Sequence, residues 1–135
     1  MQDTCSTSGQ PAGPADSARR ALLAIAEPAS ERLCRETLRK AGFIVDSVDS
    51  GIGALTAVRE RLPQLIIVDM QLRDVPGREA IGWLRSDAAL RSASVILLGG
   101  AEEDGAATVP QPGVFLRKPL SRLAIERACQ ELLKR

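Results

Sequence analysis

The chain has 135 residues, 18 Lys and Arg against 17 Asp and Glu, and no histidine. That length suits one domain, and a hydrophobic fraction of 44% supports a packed core over a disordered chain. The near-neutral balance gives no footprint for nucleic acid or an anionic membrane, and without histidine there is no imidazole zinc site and no Ser-His-Asp or Cys-His catalysis.

Cys5, Cys34 and Cys129 are far apart and form no CxxC pair, so they read as reduced thiols serving as small apolar side chains. No apolar run approaches the roughly 18 residues of a membrane span, and the N-terminus lacks a secretory pattern. The expectation is a soluble, cytoplasmic protein with no membrane partner.

Residues 1–18, rich in Ser, Thr, Gly and Pro, read as a flexible tail ahead of a domain spanning 19–135. Ala21–Ala26 is a short continuous apolar run, as in a parallel strand covered on both faces. Pro28 ends it, and a helix over Ala29–Ala41 places Leu33, Cys34, Thr37, Leu38 and Ala41 on one side until Gly42 stops it. Phe43–Val48 predicts a second strand. Ser50 caps a helix carrying Ile52, Leu55, Val58 and Leu62, which Pro63 terminates.

Leu65–Asp69 is the strongest strand signal and ends in a carboxylate. A Pro- and Gly-bearing loop, Gln71–Gly77, leads into a helix to about Arg85 with Ile81 and Leu84 inward. Ser94–Leu98 is a fourth strand ending at Gly99 and Gly100. Gly113–Arg117 is a fifth, followed by Lys118 and Pro119, and Ser121 caps a last helix through Leu133. Between strands four and five, Ala101–Pro112 leaves room for only a degenerate helix. Five strands alternating with helices imply a doubly wound parallel sheet with helices on both faces.

In such a sheet, function gathers at the carboxyl ends of the strands. Those ends present Glu27, Asp69, Gly99 with Gly100, and Lys118. A carboxylate can accept a phosphoryl group as an acyl phosphate, and a nearby lysine can neutralise the added charge. The bland alternative is a turn-capping Asp69 and a solvated Lys118.

Leu65–Gly77, Val95–Gly100 and Phe115–Pro119 together resemble the receiver domain of bacterial two-component response regulators. The resemblance spans Arg20 to Leu133 and implies a flavodoxin-like fold with strand order 2-1-3-4-5. It puts Asp69 at the phosphoacceptor position, Lys118 at the invariant-lysine position, and the Gln71 carbonyl among the ligands of a magnesium ion.

Four departures fall on that machinery. Ile25 and Ala26 stand where the family carries an acidic pair, leaving Glu27, one position later, as the substitute ligand. The metal set of Glu27, Asp69 and Gln71 is therefore weak or absent. Gly99 replaces a Ser or Thr hydroxyl in the phosphate pocket that Gly100 and Lys118 complete. Phe115 holds the switch position without a polar tip, and the fourth helix is degenerate.

The leading reading is a stand-alone atypical receiver, a non-enzymatic interaction module with impaired magnesium-dependent phosphorylation. Its partner would be a histidine kinase or another signalling protein, and the apolar excess of the last helix suits a homodimer. The runner-up is a receiver phosphorylated on Asp69 by a histidine kinase. A small aspartyl-phosphate phosphatase comes third, because Asp69-Met-Gln71 lacks a second Asp for acid-base work. Gly51-Ile-Gly53 reads as a helix start, Trp83 as a semi-buried packing residue, and Cys34 with Cys129 as inert thiols on helices sharing one face.

Overall fold

In a computed structural model, which describes residues 19–100 and 113–133, five parallel strands form one sheet in the order β2-β1-β3-β4-β5. The strands are β1 (Arg19–Ala24), β2 (Phe43–Val48), β3 (Leu65–Asp69), β4 (Ser94–Gly99) and β5 (Gly113–Arg117). The helices are α1 (Pro28–Lys40), α2 (Gly51–Glu60), α3 (Gly77–Arg85) and α4 (Arg122–Leu133), with a 3-10 turn at Ala88–Leu90. The predicted tail and degenerate fourth helix lie outside the described residues.

The period-two alternation of each strand divides the core into two layers. On one face Leu22, Ala24, Ile66, Val68, Val95 and Leu97 pack with Ala54, Val58, Ile81 and Leu84 of α2 and α3. On the other, Leu23, Leu65, Ile67, Ile96 and Leu98 pack with Cys34 and Leu38 of α1 and Ile125 and Cys129 of α4. β3 and β4 are buried along their whole length, which is why they read as unbroken apolar runs.

Local signals act as expected at several ends. Gly42 adopts φ 96°, the left-handed conformation that stops α1. Ser50 Oγ accepts from the Gly53 N–H at 2.9 Å, and Ser121 Oγ from the Ala124 N–H at 3.1 Å. Trp83 is half-buried, its ring against Gly51.

α1 and β4 shift by single residues, and β1 and α2 depart further from the sequence reading. β1 starts two residues earlier and ends at Ala24. Arg19 is held over the Phe43 ring and Arg20 is 3.7 Å from Asp46, so the two charged residues extend the pairing with β2. In α2 the buried face is Gly51, Ala54 and Val58, while Ile52 and Leu62 are exposed. A Cβ at Gly51 would lie 2.7 Å from Val75 Cγ2, so small residues govern how α2 seats. Arg61 is extended and ends the helix before Leu62.

Candidate functional site

β3 delivers Asp69 at its carboxyl end, with only 2% of the residue exposed. Lys118 follows directly after β5, its N–H bound to the Gly99 carbonyl at 2.8 Å. From there its ammonium reaches Asp69 Oδ2 at 2.7 Å and Glu27 Oε1 at 3.2 Å. Asp69 Oδ1 accepts from the Gln71 N–H at 3.1 Å, so both oxygens of the buried carboxylate are engaged. Such a charge needs partners, because burying it alone is costly.

The loop after Asp69 is fastened from three directions. The Met70 N–H donates to Leu98 O at 2.8 Å, and the Gly77 N–H to Met70 O at 2.7 Å. Gly77 leaves no room for a side chain, since a Cβ there would overlap the Asp69 carbonyl and sit 2.8 Å from Met70 Cα. Asp74 accepts from the N–H groups of Gly51 (2.7 Å) and Ile52 (3.0 Å), and Arg73 pairs with Asp49 at 3.1 Å.

Glu27 enters from α1. It is the residue before Pro28 at the helix start, and its side chain caps no backbone N–H of the helix. Ser30, one turn on, donates to Glu27 Oε1 at 2.6 Å. That hydrogen bond, with the Lys118 ammonium, holds the Glu27 carboxyl below its usual range. Burial pulls the Lys118 ammonium down, but Asp69 and Glu27 outweigh it and leave it above its ordinary value.

The structure thus brings Glu27, Asp69, Gln71, Gly99 and Lys118 together, with Gly100 half-buried immediately beyond Gly99. Phe115 stands apart, half-buried against the α2/α3 layer, with Arg117 5.4 Å over its ring. Ile25 is 2% exposed and belongs to the α1/α4 core, and Ala26 offers no donor atom. Sequence reasoning missed Ser30, for which the i,i+3 spacing from Glu27 was a usable signal. It also missed Asp74, whose partners lie 23 and 22 positions away and leave no local trace.

A hard divalent cation takes several oxygen ligands in near-octahedral array. Here Asp69 is committed to Lys118 and Gln71, Glu27 to Lys118 and Ser30, and the positions of Ile25 and Ala26 supply nothing. With the Gln71 carbonyl, two carboxylates and one carbonyl are at hand for such an ion, and both carboxylates already hold Lys118.

A carboxylate at the end of the central strand, a lysine after β5 and the 2-1-3-4-5 order converge on one family. Residues 22–130 match the response regulator receiver domain. The chain belongs to that family. This receiver domain is 33% identical, over 93 residues, to the polar-differentiation response regulator DivK of Brucella ovis, which covers 67% of this chain and 76% of that protein. A sensor protein from Polaromonas superposes with a TM-score of 0.72 at 28% identity, covering 84% of this chain and 98% of that one. The receiver domain of a Pseudomonas aeruginosa sensor histidine kinase, which has magnesium coordinated in its active-site cleft, shares the fold with a TM-score of 0.77. It is 22% identical and covers 88% of this chain and all of its own. The chain is accordingly a receiver domain of two-component phosphorelay signalling.

Proposed function

We propose that this receiver works as a non-enzymatic interaction module whose state is set by partner binding, with magnesium-dependent phosphorylation of Asp69 impaired. One observation carries the reading: both Asp69 oxygens are already engaged, one by the Lys118 ammonium, where the family's acidic pair is replaced by Ile25 and Ala26. Phosphoryl transfer to a carboxylate needs cationic charge on the transferring oxygens, and the metal ligands that would hold it are depleted. Gly99 gives the phosphate pocket no hydroxyl, and Phe115 gives the switch position no polar tip. The shift between conformational states then falls to differential contacts with a partner.

The partner class is a histidine kinase or another signalling protein. α4 exposes Leu123 beside charged residues, a surface suited to a protein contact or a second copy of the chain. The workplace is the cytoplasm. No helix among the described residues is long and apolar enough to cross a membrane.

A second reading has its own observation. Glu27, although one position late, does bring a carboxylate to the pocket, which favours a receiver that still takes a phosphoryl group on Asp69. Intact-protein mass after incubation with acetyl phosphate and Mg2+ separates the two, with Asp69→Asn as control. Folded wild type without an adduct supports the interaction module. An adduct on wild type alone establishes the phosphorylatable receiver.

A further inference from the structure

We propose that Glu27, aimed by Ser30, is a built-in anionic partner for Lys118, occupying the side of the ammonium that an anion arriving at Asp69 would need. The inference deepens the reading of Asp69 and Lys118 as the working site and concerns how that site is regulated.

Lys118 has one cationic head and two carboxylates on it. Asp69 Oδ2 is the closer at 2.7 Å and comes from the buried floor, where it has no alternative place to go. Glu27 Oε1, at 3.2 Å, comes from the solvent side, with about half of its side chain exposed. It is the more exposed member of the pair, yet it is held in place. Ser30 is itself buried and holds the same Oε1 atom at 2.6 Å. Charge-assisted contacts of this kind are short and directional.

The backbone explains why Glu27 is available. A glutamate at a helix start often turns its carboxylate back onto the helix N–H groups, but here it caps none, and Pro28 has no N–H to offer. The first turn of α1 instead places Ser30 beneath the carboxylate and directs it across the pocket. An incoming phosphate or acyl-phosphate oxygen would meet a lysine already bonded to two anions. Glu27 therefore acts as a competitive internal anion, and Ser30 as its positioning residue.

The test uses the full chain and inorganic phosphate alone, with no metal and no phosphodonor. Lys40, Lys118 and Lys134 are the chain's lysines, so spectra selective for the 15N-labelled side-chain ammonium group distinguish Lys118, with exposed Lys40 as the internal reference. Wild type, Glu27→Gln, Ser30→Ala and Ser30→Thr are titrated with phosphate against chloride at matched ionic strength, and amide spectra establish folding of each variant. Glu27→Gln is expected to gain a phosphate response at Lys118 about tenfold stronger in apparent affinity than wild type, the scale of one lost charge-assisted contact. Ser30→Ala is expected to fall between them, and Ser30→Thr, which keeps the hydroxyl, to match wild type.

Equal phosphate responses of Lys118 in wild type and Glu27→Gln overturn the role of Glu27. A Ser30→Ala titration identical to wild type overturns the positioning role of Ser30. Neither readout depends on phosphoryl transfer. An acetyl-phosphate adduct on wild type would thus reverse the proposed function while leaving the anion titration to decide this inference separately.

Discussion

Lys118 and Asp69 stand 49 positions apart in the chain and 2.7 Å apart in space, one at the end of β5 and the other at the end of β3. Their ion pair links the two strand ends across β4, and its members are unequal. Asp69 is buried, whereas the Lys118 side chain keeps 27% of its surface in solvent.

Removing the lysine strands the buried carboxylate, while removing the charge on Asp69 leaves a partly hydrated ammonium that still holds Glu27. Lys118→Ala is expected to cost about 2 kcal/mol, below the range for a fully buried pair because water can reach the Lys118 side. Asp69→Asn should cost less than half as much, since it preserves shape and an acceptor for the Gln71 N–H. Urea midpoints at neutral pH measure both. A larger loss for Asp69→Asn than for Lys118→Ala would show that the pair is not organised around the buried charge.

Two glycines of α3 make opposite predictions from the same substitution. A methyl at Gly77 runs into backbone atoms of Asp69 and Met70, which cannot yield without shifting the end of β3. Gly77→Ala is expected to lose about 3 kcal/mol or more and to displace the Asp69 resonances. At Gly82, nothing lies within 4 Å of the added methyl, and the residue is helical and exposed. Gly82→Ala is expected to gain about 0.5–1 kcal/mol. Thermal or urea unfolding of the two variants against wild type checks the signs.

The fold was legible because β3 and β4 are apolar without interruption, whereas the helices carry a 3.6-residue pattern with glycine or serine at several ends. The slip at β1 has a physical origin. Ile25 and Ala26 are as apolar as the strand before them, so composition does not mark where pairing stops. Arg19 and Arg20 lie ahead of the apolar run, yet ring and carboxylate contacts hold them against β2. In α2 the reading was right for Val58 and Leu55 but misplaced Ile52 and Leu62, because Gly51 and Ala54 take the buried positions and let that helix approach its neighbours closely. At the site, Asp69 and Lys118 were visible as strand-end residues. Glu27 was visible there too, as the next carboxylate after β1, but the hydrogen bond by which Ser30 aims it at Lys118 was not.

Cys34 and Cys129 face the same core layer from α1 and α4. Burial pushes the Cys34 thiol up to about 12 and the Cys129 thiol up to about 11, so neither carries appreciable thiolate at neutral pH. Both are expected to resist iodoacetamide in the folded protein and to react on unfolding, with the labelled peptides located by mass spectrometry. Rapid alkylation of either under native conditions would place its helix in a looser packing than the structure shows.

Asp74 offers a pH test that leaves the Asp69 pocket intact. The N–H groups of Gly51 and Ile52 hold its carboxyl below the usual range, and both bonds strengthen with the negative charge. A group with a lowered folded pKa contributes stability in full above its unfolded value, near about 4, and loses it as pH falls through the lower folded value. Wild type should therefore exceed Asp74→Asn in Tm by a constant margin from pH 7 to about pH 5, and the margin should shrink below about pH 4. Asp74→Ala, which also removes the neutral acceptor, should melt lowest at neutral pH. Thermal unfolding of the three proteins across that range decides it. A wild-type margin that persists undiminished at about pH 3 would mean that the carboxylate charge is not what ties the β3–α3 loop to the start of α2.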